Sequence, residues 1–242
     1  MTLGKRRFRP KLWALVLTAV FVALTIGLGN WQGKRAEYKI SQQAQLNDAL
    51  RAMPLRVADI ASMPNAASTQ RYRSLILSGR FVADELYFVD NRIADGKAGY
   101  GVVQSFRPTT PGDAERTILV DRGWVAAPAD RKVMPIVDTP RNDVEITGRI
   151  NVPPSRNPGT FDNDGSARLN YLNVGELSQR LNRTLEPFVL EQTAGPGFTG
   201  ITRPAPGANF EKNRGYQVQW YAFAALAIII FLVLSFRKVD AV

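Results

Sequence analysis

Two long stretches of the chain carry no charge at all, and the polarity of everything between them is different. The first runs from Leu12 to Gly33 and the second from Gly215 to Phe236. Each covers 22 residues, roughly 33 Å of helix at about 1.5 Å per residue, enough to cross a hydrocarbon core about 30 Å thick. A buried core helix rarely stays uncharged for so long. The pattern therefore predicts two transmembrane helices, 12–33 and 215–236. Lys5, Arg6, Arg7, Arg9 and Lys11 before the first run resemble the basic start of a signal peptide. The apolar run is longer than the roughly 7–15 residues of a signal core, and no small-x-small cleavage pattern follows it. It reads as an uncleaved anchor.

Between the runs the period changes. Residues 34–52 lack Gly and Pro and predict a polar helix continuing the first span, ended by Pro54. Beyond it, apolar residues alternate with polar ones. Strands are predicted at 73–81, 85–91, 100–107, 116–125 and 144–152, with turns at 82–84, 95–99 and 108–113. Residues 153–166, rich in Pro, Asn, Asp and Gly, predict a long loop. A short helix is expected at 174–181, a late strand at 187–191, and an extended return to the membrane over 194–208. The segments Ser78-Gly79-Arg80-Phe81 and Thr147-Gly148-Arg149-Ile150 echo each other but are too short to count as a repeat. The expected fold class is an α+β membrane protein. Its two transmembrane helices bracket one strand-rich extracytoplasmic domain, an antiparallel sheet or partial barrel with small helices.

Charge fixes the expected orientation. Residues 1–11 hold five basic and no acidic groups, and Arg237 and Lys238 oppose only Asp240 in 237–242. By the positive-inside rule both tails are cytoplasmic, and residues 34–214 lie outside, in a periplasm. Seven of the 31 basic residues and one of the 21 acidic residues are in the tails. The outer segment therefore keeps 24 basic and 20 acidic groups, and the net charge of +10 mostly reflects topology. No nucleic-acid partner is expected. The lipid bilayer is one expected partner: Trp13, Trp31, Tyr216, Trp220 and Tyr221 stand at the span ends, where aromatic rings favour the headgroup level. Gly29-x-x-x-Gly33 and the alanines at 222, 224, 225 and 227 predict that the spans touch. Neither span holds an ionisable group, which argues for an anchor rather than a transporter. The short charged N-terminus favours a bacterial inner membrane.

The chain has no cysteine and no histidine. That removes disulfides, thiol nucleophiles, Ser-His-Asp triads and His- or Cys-based metal sites. Asp162-Asn163-Asp164-Gly165 begins like a calcium loop, but Ala167 and Asn173 stand where Gly and Glu are required; a turn is the better reading. Gly96 to Gly101 lacks the Lys-Ser pair of a phosphate loop and reads as a hairpin turn. No pair of carboxylates is marked out for acid–base work. No enzyme is expected, and no metal or other cofactor. The distinctive residues lie elsewhere, in Asp90-Asn91-Arg92, in Asp121-Arg122-Gly123-Trp124, and where both helices leave the membrane. Trp, Tyr and Arg there predict a docking surface.

Through these residues the chain resembles the surfeit locus protein family of cytochrome oxidase assembly factors. The shared residues are Gly29-Asn30-Trp31-Gln32-Gly33-Lys34-Arg35, Gly79-Arg80-Phe81, Asp90-Asn91-Arg92, Gly96, Gly99-Tyr100-Gly101-Val102, Leu119 to Val125, and Gly215 to Tyr221. The resemblance implies a role in maturing a haem-copper terminal oxidase, around insertion of haem into its large subunit. That subunit and other oxidase subunits are the implied partners. It also implies docking through Trp31, Gln32, Arg35, Asn91, Arg92, Gly99, Tyr100, Arg122, Gly123, Trp124, Tyr216, Gln219 and Trp220. In haem a-binding members a histidine precedes the second-span tyrosine by three residues; here that position is Asn213, before Tyr216. Tyr171 and Asn173 stand where a tryptophan and an aspartate are expected. The expectation is a divergent assembly factor that kept the docking parts and lost the ligand. The alternative is a stable accessory subunit of the mature cytochrome c or quinol oxidase. A haem a-binding chaperone fits the composition least.

Overall fold

The computed structural model describes residues 6–61, 65–109, 116–153, 161–200 and 205–238. Parts of the expected 108–113 turn, 153–166 loop and 194–208 return lie outside the described residues. In chain order the strands are β1 (Arg6–Phe8), β2 (Leu55–Arg56), β3 (Ser74–Ala94), β4 (Lys97–Pro108), β5 (Ile118–Ala126), β6 (Val144–Asn151), β7 (Arg168–Leu169), β8 (Val189–Ala194) and β9 (Phe236–Lys238). The helices are α1 (Leu12–Arg51), α2 (Val57–Ala61), α3 (Ala66–Thr69), α4 (Val174–Arg180) and α5 (Phe210–Ser235). Contacts divide the chain into two compact units, residues 1–44 with 205–242, and residues 45–204.

In the helical unit, α1 and α5 are each long and apolar enough to cross a membrane. α1 runs on from its apolar half through the polar residues to Arg51 and stops short of Pro54. α5 starts at Phe210, five residues before the uncharged run, so Glu211 sits in its first turn, where an acidic group suits the positive end of the helix dipole. Shielded positions recur every three or four residues on both helices. They are Ala14, Thr18, Val22, Thr25, Gly29, Gly33 and Ala36 on α1, and Asn213, Gln217, Trp220, Ala224, Ala227, Phe231 and Ser235 on α5. That spacing is the seam of a paired helix, and small side chains dominate it. Leu24, Ile229 and Val233 face outward, an apolar surface suited to lipid. Beyond the helices β1 pairs antiparallel with β9, so both tails leave at the same end. The sequence pattern gave no hint of this ribbon.

The other unit is a closed five-strand barrel in the order β3-β4-β5-β8-β6, sealed by pairing of β6 back onto β3. The joint between β5 and β8 is parallel, while the other four are antiparallel. Inward-facing Leu75, Leu77, Phe81, Phe106, Ile118, Val120, Ile146, Ile150, Phe188 and Leu190 fill the barrel. Their alternation along each strand is what the period of two predicts. A second cluster, including Tyr87, Val103, Leu119, Leu172 and Leu177, packs α4 and its flanking loops on the outside.

Two expected strands, 73–81 and 85–91, are one. β3 continues for 21 residues, and the turn predicted at 82–84 is a bulge. Pairing with β4 jumps from Phe81–Phe106 to Leu86–Gln104, and the Gln104 side-chain amide donates to Val82 O at 2.9 Å. The bend lets one strand close the barrel against β6 with its first half and pair β4 with its second. The turn at 95–99 is a two-residue hairpin, with Asp95 and Gly96 both at positive φ (48° and 75°).

Close strand approach at Gly79 has a measurable consequence. A Cβ there would lie 2.1 Å from Arg107 O and 2.8 Å from Pro108 Cα, so Gly79→Ala forces backbone apart. We expect a cost of about 1–3 kcal/mol, read as a lower thermal midpoint in detergent. Gly27→Ala, with nothing within 4 Å, should leave the midpoint unchanged. Equal midpoints for both variants would contradict the β3–β4 register.

Candidate functional site: a bulged barrel rim and a polar helix bridge

Both polar motifs that stood out in the sequence are β-bulges. Val89 pairs Gly101 and Arg92 pairs Gly99, so one extra residue sits on β3 within Asp90-Asn91. Val102 pairs Gly123 and Val103 pairs Asp121, which makes Arg122 the extra residue on β5. The residue types follow from the geometry. Asn91 adopts φ 57°, a left-handed value that Asn tolerates, and Gly123 adopts φ 124°, which disfavours any Cβ. In each motif the aspartate steadies its own bulge. Asp90 Oδ1 accepts from the Asn91 N–H at 2.6 Å, and Asp121 Oδ1 from the Gly123 N–H at 3.3 Å. Bulges break the ladder locally, and these two carry side chains of opposite burial.

At the β5 bulge Arg122 keeps the inward face of Ile118 and Val120 and is 1% exposed. Its Nε donates to Gly197 O at 2.7 Å. Nη1 donates to Gln104 Oε1 and, at 3.2 Å, to Thr139 Oγ1, while Nη2 reaches Asp138 O. The guanidinium also lies 4.9 Å from the Phe81 ring centroid. Burial pulls its pKa down to about 10, with Asp138 opposing, so it remains a cation at neutral pH. Tyr100 is buried too, with Arg131 and Arg168 each 5.7 Å from its ring. These two expected docking residues are therefore internal supports in this fold. Arg131, which sequence reasoning missed, also pairs with Asp90 at 2.6 Å.

The β3 bulge does the reverse, leaving Asn91 and Arg92 exposed. Trp124, half-buried, donates its indole N–H to Arg92 O at 3.0 Å. Gly99 makes room for that indole: a Cβ there would meet ring atoms at 2.4 Å. Gly101 lies beside the Arg92 stem: a Cβ there would sit 3.5 Å from Arg92 Cγ. Asn91, Arg92, Gly99, Gly123 and Trp124 thus form one held edge. The departures at Tyr171 and Asn173 are accommodated locally. Asn173 caps α4 by accepting the Glu176 N–H at 3.2 Å, as Asp would, and the Tyr171 hydroxyl donates to Glu176 at 3.0 Å. In the Asp162 to Gly165 segment, Asp164 accepts the Ser166 N–H at 2.9 Å in a turn.

In the helical unit Asn213 is buried and bridges α5 to α1. Its Nδ2 donates to Gln32 Oε1 at 2.6 Å, and its Oδ1 accepts from Lys39 Nζ at 2.8 Å. Lys39 was missed, although it stands seven residues, two helical turns, from Gln32. One turn further into the span, the Tyr221 hydroxyl donates to Asn30 Oδ1 at 2.6 Å. Gly29 and Gly33 are notches rather than points of backbone contact: a Cβ would meet the Tyr221 ring at 2.5 Å and the Gln217 amide at 2.4 Å. Trp31 is half exposed under the Arg35 guanidinium, 5.6 Å from its centroid. Tyr216 and Gln219 are exposed, and Trp220 is half-buried, edge-on to Phe223 at 5.9 Å.

Replacing Asn213 with Ala would take the donor from Gln32 and leave Lys39 only its longer bond to Asn209 O, at 3.4 Å. The expected cost is about 1–3 kcal/mol, seen as earlier loss of helical signal on heating in detergent. Asn213→Asp should retain most of the stability, because a carboxylate still accepts from Lys39. Unchanged melting of the Ala variant would show the bridge to be idle.

Residues 19–225 match the SURF1 family. An uncharacterized SURF1-like protein of Mycobacterium tuberculosis is 26% identical over 232 residues, covering 91% of this chain and 82% of that protein. Surfeit locus protein 1 of Takifugu rubripes is 25% identical over 248 residues, 94% of this chain and 98% of its own. The cytochrome oxidase assembly protein SHY1 of Saccharomyces cerevisiae is 29% identical over 131 residues, 54% of this chain and 32% of SHY1. With two membrane-length helices around a bulged barrel and a match over most of its length, this chain belongs to the SURF1 family.

Proposed function

We propose that the protein is an assembly factor for a haem-copper respiratory terminal oxidase. It docks on the oxidase large subunit during cofactor insertion and does not ligate haem through histidine. The observation that carries this reading is the bulged rim. A strand bulge, a left-handed Asn, a notch at Gly99 and an indole bond all hold Asn91, Arg92 and Trp124 at the barrel edge. The left-handed φ of the bulge accounts for Asn91, whereas the Arg92 head group beside it is of the type that binding hot spots favour, as is Trp124. The naming of SHY1 as a cytochrome oxidase assembly protein supports the partner class.

Haem ligation of the family's usual kind fits these residues poorly. The chain contains no histidine. The side chain standing in that position, Asn213, is a carboxamide already committed to Gln32 and Lys39. Its role in this reading is to hold the helices together where the docking residues Trp31 and Tyr216 emerge.

We place the protein in a bacterial inner membrane with both tails cytoplasmic and residues 34–214 periplasmic. The basic tails support this orientation, as does the β1–β9 ribbon, which brings both tails to one end of the helix pair.

Arg92→Ala and Trp124→Ala should each lower the content of assembled oxidase in membranes while the variant proteins accumulate normally. A tagged wild-type chain should retain substoichiometric large subunit lacking its partners, and no stoichiometric Soret band. Normal oxidase content in both variants would refute docking through the rim. Equimolar recovery of complete, active oxidase would instead make the protein a resident subunit. A periplasm-active reporter fused after Ala52 should give signal and one after Val242 none; the reverse pattern would overturn the orientation.

A further inference from the structure

The seam between α1 and α5 is closed at one end and open at the other. Around Asn30, Gln32, Lys39, Asn213 and Tyr221, hydrogen bonds tie the helices. Towards the tails no side-chain hydrogen bond links α1 to α5 among the described residues, and the chain is joined beyond the helices, through β1 and β9. A groove of about 610 Å³ opens there, walled by Ala14, Leu17, Phe21, Ile230, Phe231 and Leu234. Thr18, Ala227 and Ser235 complete it with side chains too small to fill it. A gap of this kind between membrane-spanning helices forfeits dispersion contacts unless something apolar occupies it. Its size lies within the roughly 300–1,000 Å³ of ordinary ligand pockets.

The mouth has a different chemistry from the walls. Arg9 and Lys11 line it. The chain is fixed at this point because the Arg9 N–H donates to Ser235 O at 2.8 Å. The Lys11 ammonium lies 5.9 Å from the Trp13 ring centroid, and that ring also lines the groove. No acidic residue occurs from position 6 to 36 or from 215 to 238, so the two cations have no carboxylate neighbour on either helix. An occupant must therefore be apolar along the helices and anionic at their end.

We propose that this groove is a binding site for an anionic phospholipid, with an acyl chain between α1 and α5 and the phosphate at Arg9 and Lys11. Basic pockets between transmembrane helices recognise lipid headgroups in this way. The site is independent of the oxidase-docking reading, since its lining includes none of the docking residues of the rim or of the helices.

Full-length protein, delipidated in mild detergent, can be titrated with phosphatidylglycerol or phosphatidylcholine and read by native mass spectrometry. One tightly held phosphatidylglycerol is expected, with phosphatidylcholine weaker by at least about fivefold. R9Q/K11Q should abolish the difference between the two lipids. Ala227→Phe fills the groove and should reduce phosphatidylglycerol binding although both cations remain. Because Ala227 is only half-buried, this variant should retain the helical content of the wild type. Equal retention of the two lipids would overturn the proposal. So would competition by inorganic phosphate as strong as by lipid, or undiminished binding in Ala227→Phe with its fold intact. Exclusion of lipid by a co-purifying partner helix seated in the groove would overturn it as well.

Discussion

A single buried cation organises the barrel end of this molecule. Among the described residues no carboxylate bonds Arg122, which is satisfied instead by carbonyl, amide and hydroxyl oxygens from three separate parts of the chain: Gln104 on β4, the Asp138-Thr139 segment, and Gly197. Desolvation penalises the charge, which is why its pKa is depressed. The guanidinium fork, however, offers five donors in one plane and can hold several loops at once. Two irregular segments with no strand to pair with are thereby fixed against a regular barrel. Arg122 continues the inward alternation of Ile118 and Val120 along β5, and the bulge interrupts the β4 ladder beside it.

The same device explains why polar motifs recur at strand ends in this sequence. Asp90-Asn91-Arg92 and Asp121-Arg122-Gly123 each begin with an aspartate that accepts a backbone N–H freed by the bulge. Each then supplies a residue able to adopt a positive φ. One bulge builds the interior and the other presents the edge. The two are coupled through Trp124, which follows Gly123 in sequence and donates to the carbonyl of Arg92. A rim residue such as Arg92 is consequently placed by strand register.

Much of this was legible in the sequence, for identifiable reasons. Uncharged runs mark membrane-length helices because charge is costly in hydrocarbon, and alternation marks strands because the pleat has period two. Both signals are local. Bulges, the parallel β5–β8 joint and barrel closure depend on which strand lies alongside, and local pattern does not encode the neighbour. Val82-Ala83-Asp84 looked like a turn because polarity breaks there, yet Gln104 holds it within a continuing strand. The echo between Ser78-Gly79 and Thr147-Gly148 has a local meaning after all, since a Cβ at either glycine would strike a carbonyl of the adjacent strand. At the candidate site, residue types marked the two segments that form bulges but not the burial of their side chains. Arg122 and Tyr100 look like surface recognition residues until the barrel closes over them.

Asn213 joins the two helices through both ends of one carboxamide. An amide offers both a donor and an acceptor. It can therefore join Gln32, here an acceptor, to Lys39, which can only donate. No aliphatic side chain could join that pair. The bridge sits in the polar half of the seam, above the notches that Gly29 and Gly33 provide for Gln217 and Tyr221. Below them the seam continues in small apolar residues and finally opens into the groove. Polar bonding, side-chain-in-notch packing and an unfilled apolar gap thus succeed one another along the same two helices. Each depends on the size and polarity of the residues at every third or fourth position. The pair is fixed where polar groups can meet and left open where only lipid or another helix could complete it.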